Sequence, residues 1–320
     1  MTPEQSAGAA ISLRNLRRTF GGVAAVDGLS FDIGHGELFG LVGPDGAGKT
    51  TTLRMLAGVL PPTSGDALIH GVSVAADPEQ VKHQIAYMSQ RFGLYTDLTV
   101  RENIDFYADL YRVPRRERPA RLERLYQFSN LGSFEHRLAG QLSGGMKQKL
   151  GLCCALIHQP EILLLDEPTF GVDPISRRDL WLIVHEMVAQ GVTVLVTTAY
   201  MDEAERCDHV ALLDHGRVIA LDTPVALQQT LAGRMVALRA FAPRPALKVL
   251  ERTPAAHHAA LFGDTIHLAL TSKESDWPLV RSALTAAGIE VIDVHDLEPS
   301  LEDVFIQRVS ETATDTTVPA

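Results

Sequence analysis

Short apolar segments alternate with longer amphipathic ones along the first 230 residues of the chain. Some short segments alternate apolar and polar residues, as around Leu29, Phe31 and Ile33, which is typical of a strand with one solvated face. Others are uninterrupted, such as residues 162–165, which favours strands buried on both faces. Strands are predicted at residues 11–13, 29–33, 38–42, 67–69, 85–88, 162–165, 193–197, 210–213 and 218–220. This pattern predicts a mixed α/β domain over residues 10–230.

Two regions depart from that alternation. Strand patterns are missing from residues 91–145, where helical periodicity predicts a helical lobe inserted between strands. Beyond residue 232 short strands return, followed by a helix that stops near Gly288. Ser300 and Asp303 have the spacing of a capping box, which predicts a final helix over residues 301–308. We therefore expect a small α+β domain at residues 233–309 and a disordered, Thr-rich tail at 311–320.

Composition narrows the class of protein. The formal net charge is −10, which argues against a general nucleic-acid-binding protein. No apolar run approaches the roughly 20 residues needed to cross a bilayer, and residues 1–10 lack the basic and apolar regions of a secretory signal. Any membrane role is therefore expected to depend on a partner. The three cysteines have no Cys-x-x-Cys spacing, which favours buried thiols in a reducing compartment over a disulfide or zinc site.

The most specific motif is a glycine-rich loop, which we call the phosphate loop. It consists of Gly43, Pro44, Asp45, Gly46, Ala47, Gly48, Lys49 and Thr50, and it matches G-x-x-x-x-G-K-[ST] in full. Glycines let the backbone wrap a phosphate chain with its N–H groups directed inward. The Lys49 ammonium suits the β- and γ-phosphates, and the Thr50 hydroxyl suits Mg²⁺. An apolar strand precedes the loop and a helix over residues 49–57, including Thr51, follows it, so a ligand-free glycine turn is the weaker alternative.

Two adjacent acids follow the uninterrupted apolar segment at residues 162–165. At the end of a buried strand beside a phosphate loop, Asp166 can hold Mg²⁺, directly or through water. Glu167 can accept a proton from an attacking water molecule and orient it. The alternative is a pair of acids that caps a helix, which the phosphate loop makes less favourable.

A third motif, residues 142–146, lies between these two and is called the signature loop below. Its sequence Leu-Ser-Gly-Gly-Met resembles the LSGGQ signature of the ATP-binding cassette (ABC) family. The resemblance covers roughly residues 10–225 and implies a P-loop NTPase fold with a mixed sheet core and a helical lobe. It also implies that two cassettes enclose two ATP molecules, each between the phosphate loop of one and the signature loop of the other. Ser143, Gly144 and Gly145 would then form a second anion site at a helix start.

Other positions match the family one at a time. Gln90, after the strand at residues 85–88, matches the glutamine that approaches Mg²⁺ and links the site to the helical lobe. Phe20 matches the aromatic residue that stacks on adenine, although a core aromatic is the alternative. Asp173 matches a loop that contacts the opposite cassette. The resemblance therefore implies Glu167 and Gln90 as catalytic residues, and Thr50, Gln90 and Asp166 as Mg²⁺ ligands.

Two departures bear on activity. Ala199 occupies the position where the family normally has a histidine that reaches the γ-phosphate and helps hold Glu167 and the water. Asp45, where asparagine is common, adds negative charge near the phosphates. Slow hydrolysis, or a partner site that carries most of it, is therefore expected. Met146 in place of glutamine is common in one branch of the family and is expected to be harmless.

The end of the final domain, residues 297–305, resembles the close of ATPase subunits in the ABC-2 exporter branch for drugs and polysaccharides. That branch pairs an ATPase with a separate membrane subunit. Asp45 with Ala199 resembles the first half of tandem ATPases in the same branch. The resemblance implies an ATP-hydrolysing subunit on the cytoplasmic face of the cell membrane, with an ABC-2 permease and a second cassette, identical or different, as partners and no nucleic acid. A non-transport ABC ATPase and a low-turnover nucleotide-binding regulatory subunit remain as alternatives.

Overall fold

The structure is a computed structural model that describes residues 8–90, 93–231 and 233–315. Its strands are β1 (Ala9–Phe20), β2 (Val23–Gly34), β3 (Leu38–Val42), β4 (Ser64–Ile69), β5 (Val72–Ser73), β6 (Ile85–Met88), β7 (Ile162–Asp166), β8 (Thr193–Thr198), β9 (His209–Asp214), β10 (Arg217–Asp222), β11 (Met235–Ala240), β12 (His258–Phe262), β13 (Thr265–Ala269) and β14 (Val291–Asp296). Its α-helices are α1 (Lys49–Leu56), α2 (Pro78–Lys82), α3 (Val100–Leu110), α4 (Arg118–Ser129), α5 (Gly144–Leu156), α6 (Pro174–Ala189), α7 (Met201–Ala204), α8 (Pro224–Gln229), α9 (Pro243–Leu250), α10 (Lys273–Ala286) and α11 (Leu301–Asp315).

The chain forms two compact units. The first comprises the described residues up to Tyr200 together with Cys207–Val218. The second comprises Met201–Arg206 and the described residues from Ile219 onward. The domain limits expected at residues 230 and 233 stay a prediction.

The central sheet has the strand order β10-β9-β3-β8-β7-β6, and its strands from β9 to β6 lie in the first unit. The pairs β3–β8, β3–β9, β7–β8 and β6–β7 are all parallel. Every residue of β3, β7 and β8 is buried, which explains why apolar residues predominate in these strands and are uninterrupted in β3 and over residues 162–165 of β7. The carboxyl ends of these strands meet at one edge of the sheet, where polar side chains of separate strands come together.

An antiparallel sheet with the order β2-β1-β4-β5 packs in the same unit. Leu29, Phe31 and Ile33 of β2 are buried in alternation with more exposed residues, as the pattern predicts. The ring of Phe31 stacks on Phe39 of β3 with centroids 5.2 Å apart, which joins the two sheets through one hydrophobic core. Strands β1 and β2 are longer than predicted because backbone pairing continues through residues whose polar side chains are solvated.

Helices α3 and α4 lie within residues 91–145, the region predicted to be a helical lobe, and α5 begins at the end of that region. Thr99 and Glu102 form a capping box at the start of α3, in which each side chain accepts a hydrogen bond from the backbone N–H of the other. Two 3₁₀ turns, Gly132–Phe134 and Ala139–Gln141, connect α4 to α5. The lobe was predicted from residue 91, and residues 91 and 92 lie outside the described part of the chain.

The second unit contains an antiparallel sheet with the order β12-β13-β11-β14. Leu250 of α9 and Val280 and Leu284 of α10 are buried with the apolar side chains of this sheet. The capping box at Ser300 and Asp303 is present, since each accepts a hydrogen bond from the backbone N–H of the other.

The final helix differs from the prediction. Helix α11 extends to Asp315, so the predicted end at Arg308 is wrong, whereas the expected disorder of the tail stays a prediction. The physical reason is that neither proline nor glycine interrupts this stretch, and Glu311 accepts hydrogen bonds from Gln307 and Arg308 one turn earlier. Residues 316–320 of the predicted tail lie outside the described residues. Within the described ranges, none of the helices is long and apolar enough to cross a membrane.

Candidate functional site

The phosphate loop connects β3 to α1 at the carboxyl edge of the central sheet. Gly48 is the N-cap of α1 and has φ of 102°, a conformation that strongly favours glycine. A β-carbon at Gly43 would lie 2.3 Å from the Leu213 carbonyl oxygen, so this position also excludes larger residues. Pro44, Asp45 and Gly46 are exposed at the loop tip, whereas Ala47 is buried. The first turn of α1 contains Lys49, Thr50 and Thr51 and no acidic residue, which leaves its positive end available to an anion.

The Lys49 side chain is buried at the base of this loop and has three oxygen neighbours. Its Nζ donates to the carbonyl oxygens of Gly43 at 2.7 Å and Pro44 at 3.0 Å, and it lies 3.1 Å from Oε1 of Glu167. An ammonium group has three donors, so all of them are satisfied within the chain. Contact with a phosphate therefore requires Lys49 to exchange at least one of these partners.

Asp166 ends β7 and receives three hydroxyl groups. Thr50 Oγ1 and Thr197 Oγ1 each donate to Oδ1 at 2.9 Å, and the Tyr87 hydroxyl donates to Oδ2 at 3.3 Å. Burial, followed by the negative charge of Asp166, raises the pKa of Tyr87 to about 12. Tyr87 therefore remains a proton donor near neutral pH, and the carboxylate is held by hydroxyls from three different elements.

Glu167 follows Asp166 in a left-handed backbone conformation, with φ of 47°. Its Oε2 accepts a hydrogen bond from Gln90 Nε2 at 3.0 Å, and its Oε1 faces Lys49. Its backbone N–H donates to Thr197 Oγ1 at 2.9 Å. The structure thus brings Lys49, Gln90, Asp166 and Glu167 together, although they come from three separate segments of the sequence. A carboxylate in this position can accept a proton from a water molecule bound near the phosphates.

Thr50 and Asp166 are suited to Mg²⁺. Both offer oxygen atoms, and these lie 2.9 Å apart. Within the described ranges, no group of three or more His, Cys, Asp or Glu side chains could hold a metal alone. A site of two protein oxygens fits Mg²⁺ of the kind that nucleotide phosphates also coordinate.

The signature loop lies at the start of α5. Ser143 is the N-cap of this helix, and its Oγ accepts a hydrogen bond from the Met146 N–H at 3.3 Å. A β-carbon at Gly145 would lie 2.3 Å from Ser176 at the start of α6, whereas one at Gly144 would meet only the Gly171 carbonyl oxygen, at 4.0 Å. The neighbours of both glycines therefore belong to the loop before α6 and the first turn of that helix rather than to the phosphate loop.

Asp173 is the N-cap of α6. Its Oδ1 accepts hydrogen bonds from the N–H groups of Ile175 at 3.1 Å and Ser176 at 3.0 Å. These bonds, the one to the Ser176 N–H first, lower the pKa of Asp173. The side chain thus stabilises a helix start within its own chain, and its expected contact with a second cassette stays a prediction.

Phe20 and Ala199 lie at the margins of this region. Phe20 ends β1 and is 48% exposed, and the Arg18 guanidinium lies over its ring at 4.6 Å from the centroid. This exposure excludes the alternative that Phe20 is a core residue. It also leaves part of the ring free to stack on a nucleobase. Ala199 is exposed directly after β8 and has no side-chain group that could bind a phosphate or water.

Sequence reasoning missed Thr197 and Tyr87, whose hydroxyls both contact Asp166. The sequence placed each of them in a predicted strand, at residues 85–88 and 193–197, but did not indicate that these strands run beside the strand of Asp166. Which side chains meet across parallel strands depends on their register, which places Thr197 opposite Asp166.

Comparison with known proteins agrees with this geometry. The ABC transporter family profile matches residues 26–170. The probable multidrug ABC transporter ATP-binding protein YbhF of Escherichia coli (strain K12) is 43% identical over 96% of this chain and 53% of its own length. The chain thus spans about half the length of this relative. The Nod factor export ATP-binding protein I of Burkholderia lata is 35% identical, over 93% of this chain and 96% of its own length. The daunorubicin resistance ATP-binding protein DrrA2 of Streptomyces coeruleorubidus is 34% identical, over 95% of its own length.

Solved structures show the same fold. An ATP-binding subunit of an ABC transporter aligns with a TM-score of 0.64 and 30% identity, over 69% of this chain and 92% of that structure. A dimeric ATP-binding cassette in a post-hydrolysis state, bound to ADP and phosphate, aligns with a TM-score of 0.61 and 25% identity, over 67% of this chain and 98% of that structure. The predicted P-loop NTPase fold and family resemblance are confirmed. The chain belongs to the family of ABC transporter ATP-binding proteins, which bind ATP and hydrolyse it to power transport.

Proposed function

We propose that this chain is the ATP-hydrolysing subunit of an ABC exporter for a drug or another small molecule. The observation that carries the proposal is the convergence of Lys49, Gln90 and Glu167. Lys49 can bind phosphate, Glu167 can accept a proton, and the amide of Gln90 orients the Glu167 carboxylate. The names of the relatives, which refer to multidrug transport, Nod factor export and daunorubicin resistance, support the exporter branch.

The phosphate loop binds the phosphates of ATP in this proposal. The loop backbone and the first turn of α1, including Lys49, Thr50 and Thr51, enclose the phosphates, and Phe20 stacks on the adenine. Thr50 and Asp166, with Gln90 nearby, hold Mg²⁺, which supplies charge neutralisation at the phosphates when bound. Lys49 leaves Glu167 for the phosphates, and Glu167 is then free to act as a base.

Hydrolysis follows from the position of Glu167. Its carboxylate accepts a proton from the attacking water as the water oxygen bonds to the γ-phosphorus and the bond to the β-phosphate oxygen breaks. Gln90 keeps the carboxylate in place through its bond to Oε2. Because Gln90 also borders the helical lobe, the same contact can couple ATP binding and hydrolysis at the site to movement of that lobe.

A second cassette completes each ATP site in this proposal. Ser143, Gly144 and Gly145 would contact the ATP held by the partner, and Asp173 would lie at the contact between cassettes. The open space around Gly144 supports this role, because a phosphate could approach its N–H closely. The partner is either a second copy of this chain or a different cassette.

The remaining partner is an ABC-2 type transmembrane permease, which would hold the chain at the cytoplasmic face of the cell membrane. ATP-driven closure of the cassettes would move the helical lobe against the permease, and hydrolysis would reset it. A second function, a nucleotide-binding regulatory subunit with low turnover, is favoured by one observation only, the exposed alanine at position 199.

Transport in inverted membrane vesicles tests the proposal. Vesicles would contain the chain with its permease and be supplied with labelled drug and ATP. We expect ATP-dependent accumulation that is lost with Glu167→Gln and kept with Glu161→Gln, a change at an exposed acid just before β7. ATP turnover without accumulation of any tested drug would contradict the exporter function, and accumulation without turnover by the chain would contradict its role as the motor.

A further inference from the structure

Thr197 lies near the carboxyl end of β8 with none of its surface exposed. Its hydroxyl has one hydrogen, which is directed to Asp166 Oδ1 at 2.9 Å in preference to the Leu165 carbonyl oxygen at 3.5 Å. The same oxygen accepts the Glu167 backbone N–H at 2.9 Å. A single buried hydroxyl therefore contacts both residues of the acidic pair.

The Glu167 backbone depends on this contact. Strand β7 ends at Asp166, and Glu167 adopts the left-handed conformation with φ of 47°. This conformation is unfavourable for a residue with a β-carbon, so surrounding contacts must maintain it. The Thr197 hydroxyl satisfies a buried N–H at this bend and fixes the direction in which the Glu167 side chain leaves the backbone.

We infer that Thr197 is a positioning residue that sets the geometry of both Asp166 and Glu167 for Mg²⁺ binding and hydrolysis. The inference rests on the proposed function. Thr197 acts through its two partners: through the carboxylate of Asp166 it influences Mg²⁺ binding, and through the backbone of Glu167 it places the base. A misplacement of about 1 Å at a catalytic group can reduce a rate by ~100-fold, so a lost hydroxyl here has a measurable effect.

Thr193 provides a matched control on the same strand. It is also buried, and its Oγ1 accepts the Gly36 backbone N–H at 2.9 Å. It lies at the opposite end of β8 from the acidic pair. Thr193→Val and Thr197→Val therefore each remove one buried hydroxyl that accepts a backbone N–H, but only the second affects Asp166 and Glu167.

The test compares Thr197→Val, Thr197→Ser and Thr193→Val with the wild-type chain. We expect Thr197→Val to lower kcat for ATP by about tenfold to 100-fold, with a change in KM below about threefold. It should also raise several-fold the Mg²⁺ concentration needed for half-maximal binding of a non-hydrolysable ATP analogue. Thr197→Ser, which keeps the hydroxyl, should restore both values to within about threefold of the wild type. Thr193→Val should keep the wild-type kcat and Mg²⁺ dependence. Its thermal stability should nevertheless fall by about as much as that of Thr197→Val.

The inference is overturned if Thr197→Val keeps both the wild-type kcat and the wild-type Mg²⁺ dependence, or if Thr193→Val changes them equally. A Thr197→Ser variant as impaired as Thr197→Val would also overturn it. The Glu167→Gln variant tests the proposed function separately. If Glu167→Gln retains turnover, the proposed function is wrong, whatever the Thr197 variants show. If the wild-type chain has no turnover alone, the Mg²⁺ dependence of analogue binding decides the question by itself.

Discussion

The ammonium nitrogen of Lys49 lies 3.1 Å from Oε1 of Glu167. This buried ion pair joins the residue proposed to bind the ATP phosphates to the residue proposed to accept the proton from water. While the pair persists, neither group is free for its role. Binding of ATP and release of the base are therefore coupled, because the phosphates compete with Glu167 for the same ammonium group.

Glu167→Gln should strengthen ATP binding. The change removes a negative charge beside the phosphate site and weakens the hold on Lys49, so we expect affinity for ATP to rise by about threefold to tenfold. Equilibrium titration with a fluorescent ATP analogue measures it. Glu161→Gln removes an exposed acid and should leave the affinity unchanged. An unchanged or weaker affinity in Glu167→Gln would show that the ion pair does not compete with ATP.

The two signature glycines should respond differently to alanine. In Gly145→Ala the new methyl group collides with Ser176, so we expect the melting temperature to fall by about 4 °C or more. In Gly144→Ala the methyl group enters open space, so the melting temperature should change by less than about 1 °C. Turnover by Gly144→Ala should nevertheless fall about tenfold if this N–H contacts the ATP of a partner cassette. Normal turnover by Gly144→Ala would contradict that role.

Ala199→His should be tolerated structurally, because the alanine is exposed at the end of β8. In the family, a histidine at this position helps hold the base and water, so we expect turnover to rise by about tenfold. Steady-state phosphate release measures the change. Ala199→Asn serves as the control, since it adds a polar group that does not reach as far. Equal turnover in wild type and Ala199→His would show that the site has adapted to the alanine.

Stability should depend on pH through His158. Burial, and secondarily the charge of Arg121, lowers the pKa of His158 from 6.5 to about 4 in the folded chain, although the bond to the Ile85 carbonyl oxygen opposes this shift. The unfolded chain takes up the proton below about pH 6.5, whereas the folded chain takes it up only near pH 4. Above pH 6.5, His158 should therefore cause no change in the free energy of unfolding with pH. As the pH falls from 6.5 to 4, His158 should lower the free energy of unfolding by up to ~3 kcal/mol.

Urea unfolding at pH 7, 6 and 5 measures this dependence. His158→Gln retains an amide donor for the Ile85 carbonyl and should flatten the slope. His136→Gln changes a histidine whose side chain is 90% exposed and should keep the wild-type slope. Parallel slopes in all three proteins would contradict the assignment of this dependence to His158.

Part of the site could be predicted from the sequence because its residues follow uninterrupted apolar runs. Residues 38–42 and 162–165 are β3 and most of β7, and parallel strands bring the phosphate loop and the acidic pair to one edge. The hydroxyls of Thr197 and Tyr87 were not predictable, since their contacts depend on register between strands distant in sequence. Helix α9 and strand β12 were also missed, because α9 is short and rich in proline and β12 contains Ala259 and Ala260 rather than β-branched residues.

The most direct test of the account is steady-state ATP turnover by the purified chain with Mg²⁺, beside Glu167→Gln. We expect turnover by the wild type that falls by about 100-fold or more in the variant, while the variant still binds ATP. That result would establish Glu167 as the base of a working ATPase. Turnover by Glu167→Gln equal to that of the wild type would contradict the central claim, because a glutamine in this position cannot accept the proton of the attacking water.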